Sequence, residues 1–381
     1  MALSGFLGVV DSEALSIFVI ILGIAGLLFL YASIKKLKNI VPYIYPNARI
    51  RAKEARFIQK DLFDEMIAVS SLSEVFSILE NTDYAEYLQN IPSNNPEDFE
   101  ISIDSYLSNL YHEIEGFIPK KDLNLMKILM TRWDARNLKY VLRDIYLKEV
   151  RKKGMNLEDL TKNIIKSPLY DKIVSSVDLQ TIDEFLVSLD GTYFDLKDYL
   201  PQYRETKNLA YLENALYKVV YERILNALPS NEFEVKKYFT TMLEAENIKL
   251  LLRAKKDRIS YEEIKPFLID GLLENIGKNF DELDIDGIIN ELDNTEFYKP
   301  LEEVLPLYNS TKSLSVFDDA LKKLILSIGK SISVSHPFGM GPIIGFLAVK
   351  TAEAENIKKI LTAKYFGLPP ESIRSLIITT S

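Results

Sequence analysis

The chain has 381 residues, no cysteine, only two histidines (His112 and His336) and a net charge of −9. This composition excludes disulfides, thiolate nucleophiles and cysteine-ligated metal, and it leaves little for imidazole chemistry. A pI near 5.1 argues against nucleic acid as the main partner, because phosphate binding needs a basic surface.

The first segment, residues 1–39, differs in kind from the rest. Residues 14–34 carry no charge, and such a run rises about 30 Å as a helix, enough to span a bilayer. Asp11 and Glu13 precede it, and Lys35, Lys36 and Lys38 follow. The positive-inside tendency then puts the N-terminus outside and the bulk of the chain on the cytoplasmic face of the membrane. A cleaved signal peptide fits less well, since no basic stretch precedes the run and no small-residue cleavage site follows it. Gly23 and Gly26 leave room for a second helix to approach. After the run, Pro46 and Asn47 mark a helix start. Arg49, Arg51 and Arg56 beyond it are expected to meet lipid headgroups or to pair with acids of the repeats described next.

Beyond residue 40 the chain repeats itself. Trp133-Asp134-Ala135-Arg136-Asn137-Leu138 returns as Leu243-Glu244-Ala245-Glu246-Asn247-Ile248 and as Ala352-Glu353-Ala354-Glu355-Asn356-Ile357. The shared Asn, at 137, 247 and 356, recurs after 110 and 109 residues, the mark of a triplicated unit. Leu79-Glu80-Asn81-Thr82-Asp83-Tyr84 is likewise echoed by Leu189-Asp190-Gly191-Thr192-Tyr193-Phe194 and Leu292-Asp293-Asn294-Thr295-Glu296-Phe297. The expected division is an N-terminal segment (1–39) and three helical repeats, 40–150, 151–260 and 261–381. Apolar residues keep an i, i+3, i+4 spacing throughout, so the fold class is all-α, with three similar helical domains behind one transmembrane helix. The spacing predicts middle helices over 210–228 and 315–332, with a shorter equivalent over 103–114. The two Leu-Pro-x-Tyr steps, at 200–203 and 305–308, are expected to form turns.

On each long helix the acid (Asp134, Glu244, Glu353) projects into the apolar face, and the amide (Asn137, Asn247, Asn356) flanks it. A buried carboxylate needs a partner, so a cation, hydroxyl or backbone donor is expected beside each one, and Glu244→Gln is expected to weaken the second unit. The amides suit two-way bonds to adjoining backbone. Three copies of one acid–amide pair read as a structural polar network; the competing reading is three sites that converge on a ligand. No phosphate loop is present: the glycine cluster at 337–345 lacks the Lys-Ser/Thr ending and reads as a loop into the third long helix, with Pro342 in its first turn. The Glu-x-x-Asn spacing lacks the histidine of di-iron bundles. Catalytic, metal-binding and cofactor-binding residues are therefore all expected to be none.

Together, Tyr43 to Arg51 (Tyr-x-Tyr-x-x-Ala-Arg-x-Arg), the Leu79 to Tyr84 motif, the three acid-x-x-Asn helices and the closing Lys364 to Arg374 stretch resemble the C subunit of archaeal A-type ATP synthases, the equivalent of the d subunit of vacuolar ATPases. The resemblance covers roughly residues 40–381. It implies a non-enzymatic rotor part without cofactor, a funnel of three helical domains in pseudo-threefold arrangement. Such a part sits on the proteolipid (c/K) ring and receives the D and F proteins of the central stalk during proton- or sodium-driven ATP synthesis. Members of the family are expected to begin near the Tyr-x-Tyr segment, which makes the N-terminal span a departure. That span is expected to enter the ring lumen or to meet membrane lipid, with Lys35, Lys36, Lys38, Arg49 and Arg51 close to the membrane. Two other readings stand beside it: a membrane-tethered helical scaffold for another cytoplasmic protein, and an enzyme using Glu244 and Glu353 as acid and base.

Overall fold

The computed structural model describes residues 12–89, 91, 95–228, 232–270 and 276–378; for a few residues within these ranges, Lys36 among them, only the backbone is described. Among the described residues the ordered elements are all helical, as the apolar spacing requires.

The apolar run forms the helix Ser12–Ile40. One 3-10 turn, Val41–Tyr43, leads directly into Ile44–Glu54, with the joining residues all in right-handed helical conformation. Its large apolar side chains from Leu15 to Leu37 stand exposed, and a Cβ added at Gly23 or Gly26 would meet nothing within 4 Å.

Each copy of the repeat then contributes the same parts. The first is a short capped helix: Leu72–Leu79, Ile182–Ser188 and Ile285–Asn290. Ser71 and Thr181 build reciprocal capping boxes with Glu74 and Glu184, while Asp284 accepts from the Gly287 amide at 2.8 Å. The threonine turn that follows closes the same way three times: Thr82, Thr192 and Thr295 each donate through Oγ1, at 2.7 Å, to the carbonyls of Leu79, Leu189 and Leu292. Each hydroxyl also accepts the amide two residues on, from Tyr84, Phe194 and Phe297. The turn thus satisfies helix-end carbonyls that water would otherwise have to reach.

The middle helices are Pro96–Glu115, Ala210–Ala227 and Ser315–Ser335, and the long helices are Leu123–Arg151, Phe233–Asp257 and Gly341–Tyr365. The first middle helix is longer than its apolar spacing suggests, because Asn95 caps it and Pro96 fits its first turn. The Leu-Pro-x-Tyr steps also differ from expectation: both lie within helices, Leu200–Thr206 and Tyr298–Thr311. Pro201 occupies a first turn, where no amide is needed, whereas Pro306 sits in a helix interior.

Each middle helix forms a hairpin with the long helix that follows it, and each long helix packs against the middle helix of the next copy. The third long helix packs against the first middle helix, so the order closes on itself. The third hairpin is the tightest, because a Cβ added at Gly345 would stand 2.8 Å from the Gly329 carbonyl oxygen.

Candidate functional site

The three asparagines bind three different segments. Asn137 donates to the Ile165 carbonyl at 2.6 Å and accepts the Ile165 amide at 3.0 Å. Asn247 holds Ile269 in the same two-point manner, at 3.1 and 2.9 Å, and Asn356 holds Ile378 at 3.0 and 2.7 Å. Each clasp pins a returning segment to its long helix and satisfies one residue's donor and acceptor at once.

The acids diverge. Asp134 is fully buried; it accepts the Leu169 amide at 2.8 Å and a short hydrogen bond from the Tyr193 hydroxyl. Burial pushes its pKa up, and the bonds from Ser167, Tyr193 and Leu169 oppose that rise. Glu353 is also buried and takes the Ile58 amide at 2.7 Å, the Tyr84 hydroxyl at 2.9 Å and the Lys350 ammonium at 2.6 Å. Lys350 is itself buried, within 3.5 Å of Asp83 and facing the rings of Phe57, Tyr84 and Tyr106.

Glu244 departs from expectation. It is half-buried, makes no hydrogen bond or ion pair among the described residues, and has its pKa raised by burial and by Glu296 nearby. The cause lies in the threonine turn: the position after the threonine is Tyr193 in the second copy, a donor for Asp134, but Glu296 in the third. Glu296 turns instead to Thr241 and, at 3.2 Å, to Lys237.

Helices from all three copies line a cavity of about 390 Å³. Its walls are mostly apolar or aromatic, Tyr111, Tyr217, Tyr221 and Tyr238 among them, with a few charges. Of these, Glu246 is paired with Lys249 at 2.6 Å, and Glu355 with Lys322 at 3.3 Å and Lys358 at 2.9 Å. Arg132 lies over the rings of Tyr111 and Trp133. The repeat pattern points outward at positions 246 and 355 but gives no sign that they meet at a shared cavity, since that depends on how the helices cross. The glutamates are spent on lysines, and no group of three or more metal-ligating side chains occurs among the described residues. His336 lies exposed beside Ser335, and His112 lies beside Glu115.

The basic residues near the apolar helix divide into two groups. Lys35 and Lys38 are exposed, and the Lys36 side chain lies outside the described residues. Arg49 pairs with Glu113 at 2.9 Å and stacks over Phe117, while Arg51 pairs with Glu54 at 2.7 Å and donates to the Ser333 carbonyl at 3.1 Å. Arg56 pairs with Asp83 at 2.7 Å. Thus the arginines bind acids of the body, and none of them reaches Asp134, Glu244 or Glu353.

An all-helical chain with three copies of one clasp, enclosing a common cavity and following an apolar helix, matches the ATP synthase (C/AC39) subunit family over residues 46–376. The chain belongs to that family. The C subunit of the A-type ATP synthase of Methanocaldococcus jannaschii is 32% identical over 91% of this chain and 88% of its own length. Its counterparts from Methanosphaera stadtmanae and Methanobrevibacter smithii are each 29% identical, covering 96% and 97% of this chain and 95% and 97% of their own. Family membership makes the chain a structural subunit of a larger assembly and not a catalyst by itself. It also corrects the view that relatives begin near Tyr43: an alignment starting there would leave about a tenth of these 381 residues out, so those covering 96% and 97% run into the apolar stretch.

Proposed function

We propose that the chain is a non-catalytic rotor subunit of an A-type ATP synthase, coupling the central stalk to the membrane proteolipid ring. The observation that carries this reading is the cavity lined by helices from all three copies, in a chain of this family. A three-domain funnel of this kind would receive the tip of the stalk, its D and F proteins, and pass torque to the ring in ion-driven ATP synthesis. Torque transfer needs a stiff body, and the acid–amide pairs act as its clasps, with Asp134, Asn137, Asn247, Glu353 and Asn356 locking returning segments to the long helices.

The apolar helix, with a mean hydropathy of 2.7 and no buried share, acts as a single-pass anchor with its N-terminus outside. It enters the lumen of the ring, because an anchor beside the ring would drag against the stator as the rotor turns. The test is removal of residues 1–38 followed by mild detergent extraction. The full chain is expected to co-purify with proteolipid and stalk proteins, and the truncated chain to lose most of the proteolipid while keeping the stalk. Equal retention of proteolipid by the two would overturn the plug, and a full chain that brings down neither partner would replace the rotor reading with that of a tethered scaffold.

A further inference from the structure

We propose that Arg132 binds a carboxylate of the stalk tip inside the shared cavity and so fixes the register in which the stalk seats. This rests on the rotor reading above and adds to it the chemistry of the contact. The cavity wall is built from matched positions of the three long helices. Leu129, Phe239 and Ala348 form one set, and Arg132, Met242 and Thr351, almost one turn further along, form the next. A partner in the cavity therefore meets the same position of the repeat from each copy. Arg132 carries the one charge of its set.

No acid among the described residues answers that charge. Arg132 is half-buried, its guanidinium lies 4.6 and 4.2 Å from the ring centres of Tyr111 and Trp133, and it makes no hydrogen bond or ion pair among the described residues. Glu246 and Glu355, the carboxylates of the wall, are held by Lys249 and Lys322. Three cations against two carboxylates leave the described wall with one positive charge in excess. Water solvates the guanidinium while the cavity is open. A tip that fills the cavity displaces this water, and a cation left unpaired there is costly, so the occupant has to bring an acceptor. A carboxylate suits best, because the planar fork takes both of its oxygens and the two rings hold the fork in place. Turned to face Met242 or Thr351 instead, the same carboxylate would be buried without a cation, which disfavours the other two orientations.

The full chain in mild detergent is titrated with the purified D and F stalk proteins, as wild type and as Arg132→Gln and Arg132→Met, both of which keep a stem against the two rings. Affinity for the stalk is expected to fall at least about 30-fold in both variants, mostly through faster dissociation, while their denaturation midpoints stay close to that of the wild type. Acidic residues at the stalk tip are then neutralised one at a time. One of them is expected to weaken binding to the wild-type chain by the same factor and to change nothing further in the Arg132 variants. Its effect on the wild-type chain needs no variant of this protein, so a poorly folding Arg132 variant does not remove the test. For the register, the cation is moved by combining Arg132→Met with Met242→Arg. This chain is expected to bind with the stalk turned towards the second copy, read as a change in energy transfer between a dye on the stalk and one at Val187→Cys, a clean label in a chain without cysteine. Wild-type affinity in both Arg132 variants, or no acidic stalk residue that matters to the wild-type chain, overturns the pairing and leaves the rotor reading standing. A moved cation that leaves the energy transfer unchanged, or does not restore binding, overturns the register alone. A wild-type chain that does not bind the stalk overturns the rotor reading and the pairing with it.

Discussion

Glu244 shows how one residue at one repeated position changes the sign of an interaction. Asp134 and Glu353 occupy the same place on their helices and are satisfied by a tyrosine and a backbone amide, joined at Glu353 by a lysine. Glu244 faces another carboxylate, Glu296, and its pKa is raised by burial and by that repulsion. A carboxyl whose folded-state pKa lies above its unfolded value stabilises the fold less as pH rises through the folded value, and more as pH falls back towards the unfolded one. Glu244→Gln is therefore expected to leave stability at pH 7 unchanged or raise it by up to about 1 kcal/mol, the effect fading near pH 4. Urea unfolding at the two pH values measures this, and a clear loss at pH 7 would show that the Glu244 carboxylate has a stabilising partner within the folded chain. Helical spacing alone predicts the opposite, a weakened unit, because it places the acid on the inward face without showing what stands across from it.

The asparagine clasps belong to the scale of elements, since each joins a long helix to a segment 22 or 28 residues further along. That these asparagines flank the buried face was legible in the apolar periodicity, as were the middle and long helices. The partners Ile165, Ile269 and Ile378 were not, because a returning segment without periodicity carries no signal of where it docks. Asn356→Ala strips both bonds from a buried peptide and is expected to cost about 2–4 kcal/mol, read as a lower denaturation midpoint at unchanged slope. Asn137→Ala and Asn247→Ala leave the same pair of groups bare, so similar losses are expected from all three. A value below about 0.5 kcal/mol at any one of them would mean that water replaces the amide there.

At the scale of the whole molecule, triplication was plain in the sequence, but the closure of the cycle was not. The first copy's short helix, threonine turn and middle helix pack against the last copy's long helix, so the seam joins parts of the chain roughly 250 residues apart, as Lys358 to Asp104 does at 2.7 Å. Sequence repeats mark which segments are alike, and the pairing of one copy with the next is decided by side chains such as Tyr84 that reach across. Glu355 lies one turn before Lys358, between it and Lys322, and these two lysines hold its pKa at about 2 although burial pushes it up. A carboxylate with a depressed folded-state pKa lends stability that is complete above its unfolded value near 4.5 and is lost as pH falls towards 2. Glu355→Gln should therefore lower stability at pH 7 by about 1–3 kcal/mol, after allowance for partial solvent screening, and bring variant and wild type together near pH 2. Denaturant midpoints measured from pH 7 to pH 2 test this. Parallel profiles for the two proteins would mean that the Glu355 carboxylate gains nothing from Lys358 and Lys322, and that Lys358 serves the seam through Asp104 alone.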